Sequence, residues 1–188
     1  AVADLEKFAT TFIKASTATN IGADMAEEVL RVMNTIDEPV SRIDRLMSAV
    51  NELGNNLATN ERRILEFLGV MPGLKNMLRF TTEQLLSFAA VASTTANEAG
   101  LTGTAMNNLA MIMMDAASKG GKALTVLAQT AGMAEQEFAD LIRRNGYEAM
   151  VRFIAGMKRV QGEGTDLARI FDDMGGEGSR LIRAVLSL

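Results

Sequence analysis

The sequence contains no cysteine, no histidine and no tryptophan, and a single tyrosine, Tyr147. Without cysteine there is no disulfide framework, which fits a reducing compartment. With histidine missing as well, ordinary zinc sites are excluded, and so is every pairing of a nucleophile with an imidazole. Long hydrophobic runs are also missing. The longest, Leu109–Met114, has six residues, far short of the roughly 20 needed to cross a bilayer. No charged-then-apolar leader pattern is visible. Positive charge is not in excess either: the net charge is −4 and the pI is near 5.0, which argues against a dedicated nucleic-acid binder. The charge is evenly spread, with nine Lys/Arg against eleven Asp/Glu in residues 1–80 and ten against twelve in residues 81–188.

What is present is the composition of a folded helical protein. Apolar residues make up 48% of the 188 positions and charged residues 22%, enough to bury a core without a staple. Apolar residues recur at spacings of three and four, and no alternating, period-2 stretch occurs. The expectation is an all-α fold, a compact bundle of about ten short to medium helices with Gly-rich hinges. It reads as a single helical domain over 1–188, with subdomains 1–78 and 79–188 compatible with the same pattern. The chain begins and ends inside helical patterns and has no initiator Met, so it is expected to be a segment of a longer polypeptide.

The first helix is expected over residues 2–18, around Phe8, Phe12 and Ile13. A second carries Met25, Val29, Leu30, Val32, Met33 and Ile36, and stops at Asp37-Glu38-Pro39 because the residue before proline is pushed out of the α region. Pro39 or Ser41 starts a third helix, with Ile43, Leu46, Met47, Val50 and Leu53, which a turn at Gly54-Asn55-Asn56 closes. Ile64, Leu65, Phe67 and Leu68 mark a fourth, interrupted from Gly69 to Gly73. Leu74–Leu78 is too short to assign. Further helices are read at Lys122 to about Thr130, Glu135–Arg144, Tyr147–Val160, Asp166–Met174 and Ser179–Leu188. Asn60–Phe67 also echoes Thr81–Phe88, a likeness too short to define a repeat.

Between them lies the organising stretch, Phe80–Leu124. Thr81 and Gln84 have the spacing of a capping box. Leu85, Leu86, Phe88, Ala89 and Ala92 form an apolar face, and Gly100 is placed to close that helix in a left-handed conformation. Thr102 then offers a second cap, ahead of Met106, Leu109, Ala110, Met113 and Met114. From Gln84 to Ala134 only Glu98, Asp115, Lys119 and Lys122 are charged, the signature of a core segment.

Candidate chemistry is thin. Gly120-Gly121-Lys122 lacks the preceding strand, the glycine spacing and the following Ser or Thr of a phosphate loop, and Gly175–Ser179 meets the same objection. Glu135, Glu137 and Asp140, or Asp172 and Asp173, could supply a carboxylate pair for glycoside hydrolysis. Sugar sites usually want aromatic platforms, however, whereas the chain has no Trp and one Tyr, and first-turn carboxylates suit a helix dipole without any catalysis. Arg143, Arg144, Arg152, Lys158 and Arg159 are interleaved with acidic residues and read as a solvated mixed face. Catalytic, cofactor and metal residues are therefore expected to be none, and no enzyme activity is expected. Of the thirteen methionines, Met106, Met111, Met113 and Met114 are candidate partner contacts, since flexible thioethers suit surfaces that pack in more than one way. Gly100, Gly120, Gly121 and Gly146 are the candidate hinges.

The order of residues in this stretch carries a resemblance. An apolar helix is followed by Ala99-Gly100, by Gly103-Thr104-Ala105-Met106 with Leu109, and then by Ser118-Lys119, Lys122, Ala123 and Leu124. This order, spread over about 45 positions, resembles the core of bacteriophage tail tape-measure proteins. Leu53-Gly54-Asn55-Asn56 with Ile64–Phe67, the Ala134–Ala139 run and the Leu167–Leu188 ending extend the likeness to roughly residues 5–185. The resemblance implies a helical structural protein of a phage or prophage tail that occupies the tail tube during assembly and sets its length. It implies as partners the tail tube protein, other copies of the chain and tail assembly chaperones, with no direct nucleic-acid binding and no membrane contact. It places the protein in the virion tail, and in the host cytoplasm during assembly. The alternative is a helical adaptor or scaffold module that binds a protein partner through a Met-rich apolar face.

Overall fold

The computed structural model describes residues 2–18, 22 and 25–162; the helices expected at Asp166–Met174 and Ser179–Leu188 lie outside the described residues. The fold is all-α, a compact bundle of ten α-helices with no strand among the described residues. They are α1 (Val2–Ala18), α2 (Ala26–Thr35), α3 (Ile43–Asn56), α4 (Glu61–Val70) and α5 (Pro72–Leu78), then α6 (Thr82–Thr95), α7 (Ala99–Lys119), α8 (Lys122–Ala131), α9 (Glu135–Arg144) and α10 (Gly146–Gly162). A 3₁₀ turn, Val40–Arg42, leads into α3 from Pro39.

Local sequence sets the helix ends. Thr81 and Gln84 form the capping box that their spacing predicts: the Gln84 N–H donates to Thr81 Oγ1 at 3.1 Å, and the Thr81 N–H to Gln84 Oε1 at 2.9 Å. Asn60 caps α4 by accepting from the Arg63 N–H at 2.9 Å. α2 stops before Pro39 as expected, with Asp37 left-handed at φ 51°. The Glu38 N–H donates to Met33 O and the Asp37 N–H to Asn34 O, a Schellman closure that satisfies two orphan carbonyls. Gly132 closes α8 the same way, the Met133 N–H donating to Ala128 O and the Gly132 N–H to Gln129 O.

Several boundaries differ from the sequence reading. Gly54-Asn55-Asn56 is the last turn of α3, not a loop, and the chain turns extended only at Leu57. Leu74–Leu78 is helical because Pro72 starts α5 with its φ already set. Gly100 does not close α6. That helix ends at Thr95 with Ala96 extended, and Gly100 lies in the first turn of α7. Thr102 is not a cap either: it is buried, and its hydroxyl donates back to Glu98 O at 2.9 Å, as a threonine inside a helix does. Ile13, expected on the inward face of α1, is 63% exposed.

The core is continuous from Phe8 to Met157. α6 packs on α4, α7 on both α4 and α5, and α8, α9 and α10 pack on one another. Helices on either side of residue 78 are thus interleaved. Phe67, Phe138 and Phe153 are among the largest side chains fully buried, each contributing on the order of 1.5–3 kcal/mol by removal from water. Phe80 joins two parts of the bundle, edge-on to Phe88 at 6.0 Å and to Tyr147 at 5.2 Å.

Candidate functional site

The four methionines do not form one surface. Met106 and Met113 are fully buried, whereas Met111 is 56% exposed and Met114 36%. The helical period explains the split. Met106 and Met113 lie on the face that α4, α5 and α9 cover, and Met111 lies on the opposite, exposed side. Only Met111 and Met114 are available to a partner.

The candidate hinges also divide. Gly120 and Gly121 link α7 to α8 at φ 71°, ψ −146° and φ 79°, ψ −164°. These angles lie in a region that essentially only glycine occupies, and a Cβ at either position would meet nothing within 4 Å. Gly100 is helical. Gly146 starts α10 and is a packing position, where a Cβ would run into the Leu78 carbonyl and side chain. Gly156 abuts the Thr130 carbonyl even more tightly, and a Cβ on Gly103 would come within 2.5 Å of Val70 O.

The charged candidates are largely engaged in structure. Glu135 accepts from Thr125 Oγ1 at 2.9 Å, and Asp140 accepts from Arg143 at 2.9 Å and from Gln136 at 3.2 Å. Asp172 and Asp173 lie outside the described residues. Arg143 donates to Ala117 O at the end of α7, and Arg159 to Thr130 O at the end of α8. Arg152 pairs with Glu148 at 2.7 Å. Elsewhere Arg63 donates to Ser93 O and Ala96 O at the end of α6, and Lys75 to Ile36 O beyond α2. Basic side chains from neighbouring helices thus sit repeatedly where carbonyls lack helical partners and the dipole is negative. Sequence order does not show which helix end a cation will meet.

Two further polar groups escaped the sequence reading. Asn107 Nδ2 donates to Val70 O at 3.0 Å while its Oδ1 accepts from the Gly73 N–H at 2.9 Å, so one amide fills the break between α4 and α5. Glu38, 8% exposed, accepts from Thr82 Oγ1 at 2.5 Å and lies 3.3 Å from Arg42 and 3.5 Å from Lys75. Burial pushes its carboxyl up, but the hydrogen bonds from Thr82 and Arg42 and the Lys75 charge outweigh that and hold it below its ordinary value. A glutamate before a proline gives no hint of a partner more than 40 positions away.

Two open clefts flank these elements. One, of about 340 Å³, lies among Glu28, Arg31, Glu66, Val70, Glu98 and Gly100, with Arg31 already tied to Glu28. The other, of about 490 Å³, lies beneath Asn34 and Asp37–Val40. Among the described residues, no group of three or more Asp or Glu stands where it could hold a metal ion, and no helix is long and apolar enough to cross a membrane. Compared with family models, curated proteins and solved structures, the chain matches none.

Proposed function

We propose that this chain is a structural segment of a phage or prophage tail tape-measure protein and has no catalytic role. The observation that carries the reading is the order of residues from Ala99 to Leu124, and an all-helical fold is compatible with it. On this reading the segment contributes length to a ruler inside the tail tube. Its partners are the tube protein, further copies of itself and assembly chaperones. As a single extended helix, 188 residues would span about 280 Å at 1.5 Å per residue. An in-frame deletion of the segment from its parent is expected to shorten the tail by up to about that length. Electron microscopy of virions from nested deletions measures it. Viable virions with unchanged tails would remove the segment from the ruler.

The exposure of Met111 and Met114 favours one second reading, a helical adaptor that docks a protein partner on the outer face of α7. Met111→Gln with Met114→Gln would abolish such docking and leave tail length untouched.

A further inference from the structure

The outer and inner faces of α7 and α8 are in phase across the glycine pair that separates the helices. Leu124 follows Met106, Leu127 follows Leu109 and Ala128 follows Ala110 by the same 18 positions, about five turns at 3.6 residues per turn. All six side chains are buried. The exposed positions keep step as well: Asn108, Met111, Asp115, Ser118, Lys122 and Gln129 fall on the opposite face. Two helices joined by a bend have no need to share a phase. A shared phase over Ala99–Ala131 is what one continuous amphipathic helix requires.

Only the backbone of Gly120 and Gly121 interrupts that helix. Neither glycine has a neighbour where a Cβ would lie, so a side chain at either position would meet no steric block. Beyond it, α8, α9 and α10 pack on one another as a unit. That unit touches the rest of the chain mainly through α9 on α7, α8 on α7, Arg143 on Ala117 O, α10 on α5 and Tyr147 on Phe80. Straightening the bend would carry the unit away from α7 and uncover apolar surface on both sides. The one partner sure to complement both uncovered surfaces is the same chain, because each contact can re-form between copies.

We infer that Gly120-Gly121 is a two-position hinge, bent in the monomer and helical in a dimer in which two copies exchange their α8–α10 units. The inference is independent of the tail reading. It is tested on the full chain with Gly120→Ala and Gly121→Ala together, since alanine disfavours the bent angles and favours the helix. Nitroxide labels on Asn108→Cys and Gln129→Cys, in a chain with no other cysteine, report the bend. A straight helix sets these positions about 32 Å apart along its axis, and the bend brings them closer. The expected result is a dimer by light scattering, with helicity kept and, when labelled chain is diluted in excess unlabelled chain so that only distances within one copy are read, the label distance lengthened to the straight value. A folded monomer, or a dimer whose distance within one copy stays short, overturns the inference. Should the double variant fail to fold, the labelled wild-type chain decides: mixed with excess unlabelled chain, held concentrated near its melting temperature and cooled, it yields the long-distance dimer if the inference is right and only monomer if it is wrong.

Discussion

The bundle is held together differently at its two ends. Around α1–α3, long polar side chains reach across gaps: Lys7 donates to Ser41 O, Thr11 to Asp44, and Glu38 joins Thr82, Lys75 and Arg42. Around α7–α10, where Arg143 and Arg159 also reach carbonyls, it is mainly small residues that let backbones approach, with Gly103 against Val70, Gly146 against Leu78 and Gly156 against Thr130. Ala110, Ala116, Ala117 and Ala128 are buried alongside. The first kind of contact can adjust by rotating a side chain. The second cannot, because a carbonyl has no rotamer to change. The two ends should therefore respond differently to substitution, and denaturant unfolding can measure how differently.

The largest effect is expected at Gly156. A single methyl there meets the Thr130 carbonyl, and Gly156→Ala should lose about 3 kcal/mol through forced displacement of α10 from α8. A loss under 1 kcal/mol would break the comparison. Next comes Asn107→Leu, which is close in size but strands Val70 O and the Gly73 N–H and should lose about 2 kcal/mol.

Glu38→Gln probes the other end and should lose about 1–2 kcal/mol near neutral pH, since Thr82 keeps a partner and Lys75 stays partly in water. Its pH dependence has a definite sign. The folded carboxyl titrates below its ordinary value of 4.5, so its stabilisation is fully present above that pH and fades as pH falls through the lower folded value. The gap between wild type and Glu38→Gln should therefore close on acidification, and a gap that widens would contradict the network. The smallest effect, about 1 kcal/mol, is expected from Thr81→Ala, which removes half of a capping box at an exposed helix start.

The parts of this architecture that the sequence made legible are those written locally. The capping box of Thr81 and Gln84, the stop ahead of Pro39 and the bounds of α9 each depend on residues within a few positions. The inner faces of α2, α3 and α4 followed from their spacing for the same reason. Gly54 and Gly146 differ from their expected roles because glycine has two uses that look alike in a sequence. One is to bend the chain, as at Gly120 and Gly121; the other is to admit a neighbour, as at Gly146. Which one applies depends on what lies opposite, and that is set by helices up to 68 positions away, as for Gly146 and Leu78. The burial of two of the four methionines was hidden for a related reason. Met111 lay visibly off the apolar face of its helix, but the burial of Met106 and Met113 depends on α4, α5 and α9 arriving over them. The polar network at Glu38 was not legible at all, since its partners come from three separate elements.

Gly103 and Asn107 sit one turn apart on α7, and together they work as a key that admits a single register. Suppose α7 slid by one turn so that Asn107 came opposite Val70. Its side chain would occupy the space that Gly103 leaves empty, and Met111 would arrive where an amide is needed to satisfy Val70 O and the Gly73 N–H. Sliding the other way would bring Ala99 to the tight spot and Gly103 to the polar one, again leaving both backbone groups unmatched. A helix whose inner face is otherwise Ala, Leu and Met with one Thr, Thr102, is smooth enough to settle at several offsets of nearly equal energy. This two-residue notch makes the neighbouring offsets unequal, so the break between α4 and α5 acts as the fixed point from which the longest helix of the bundle is aligned.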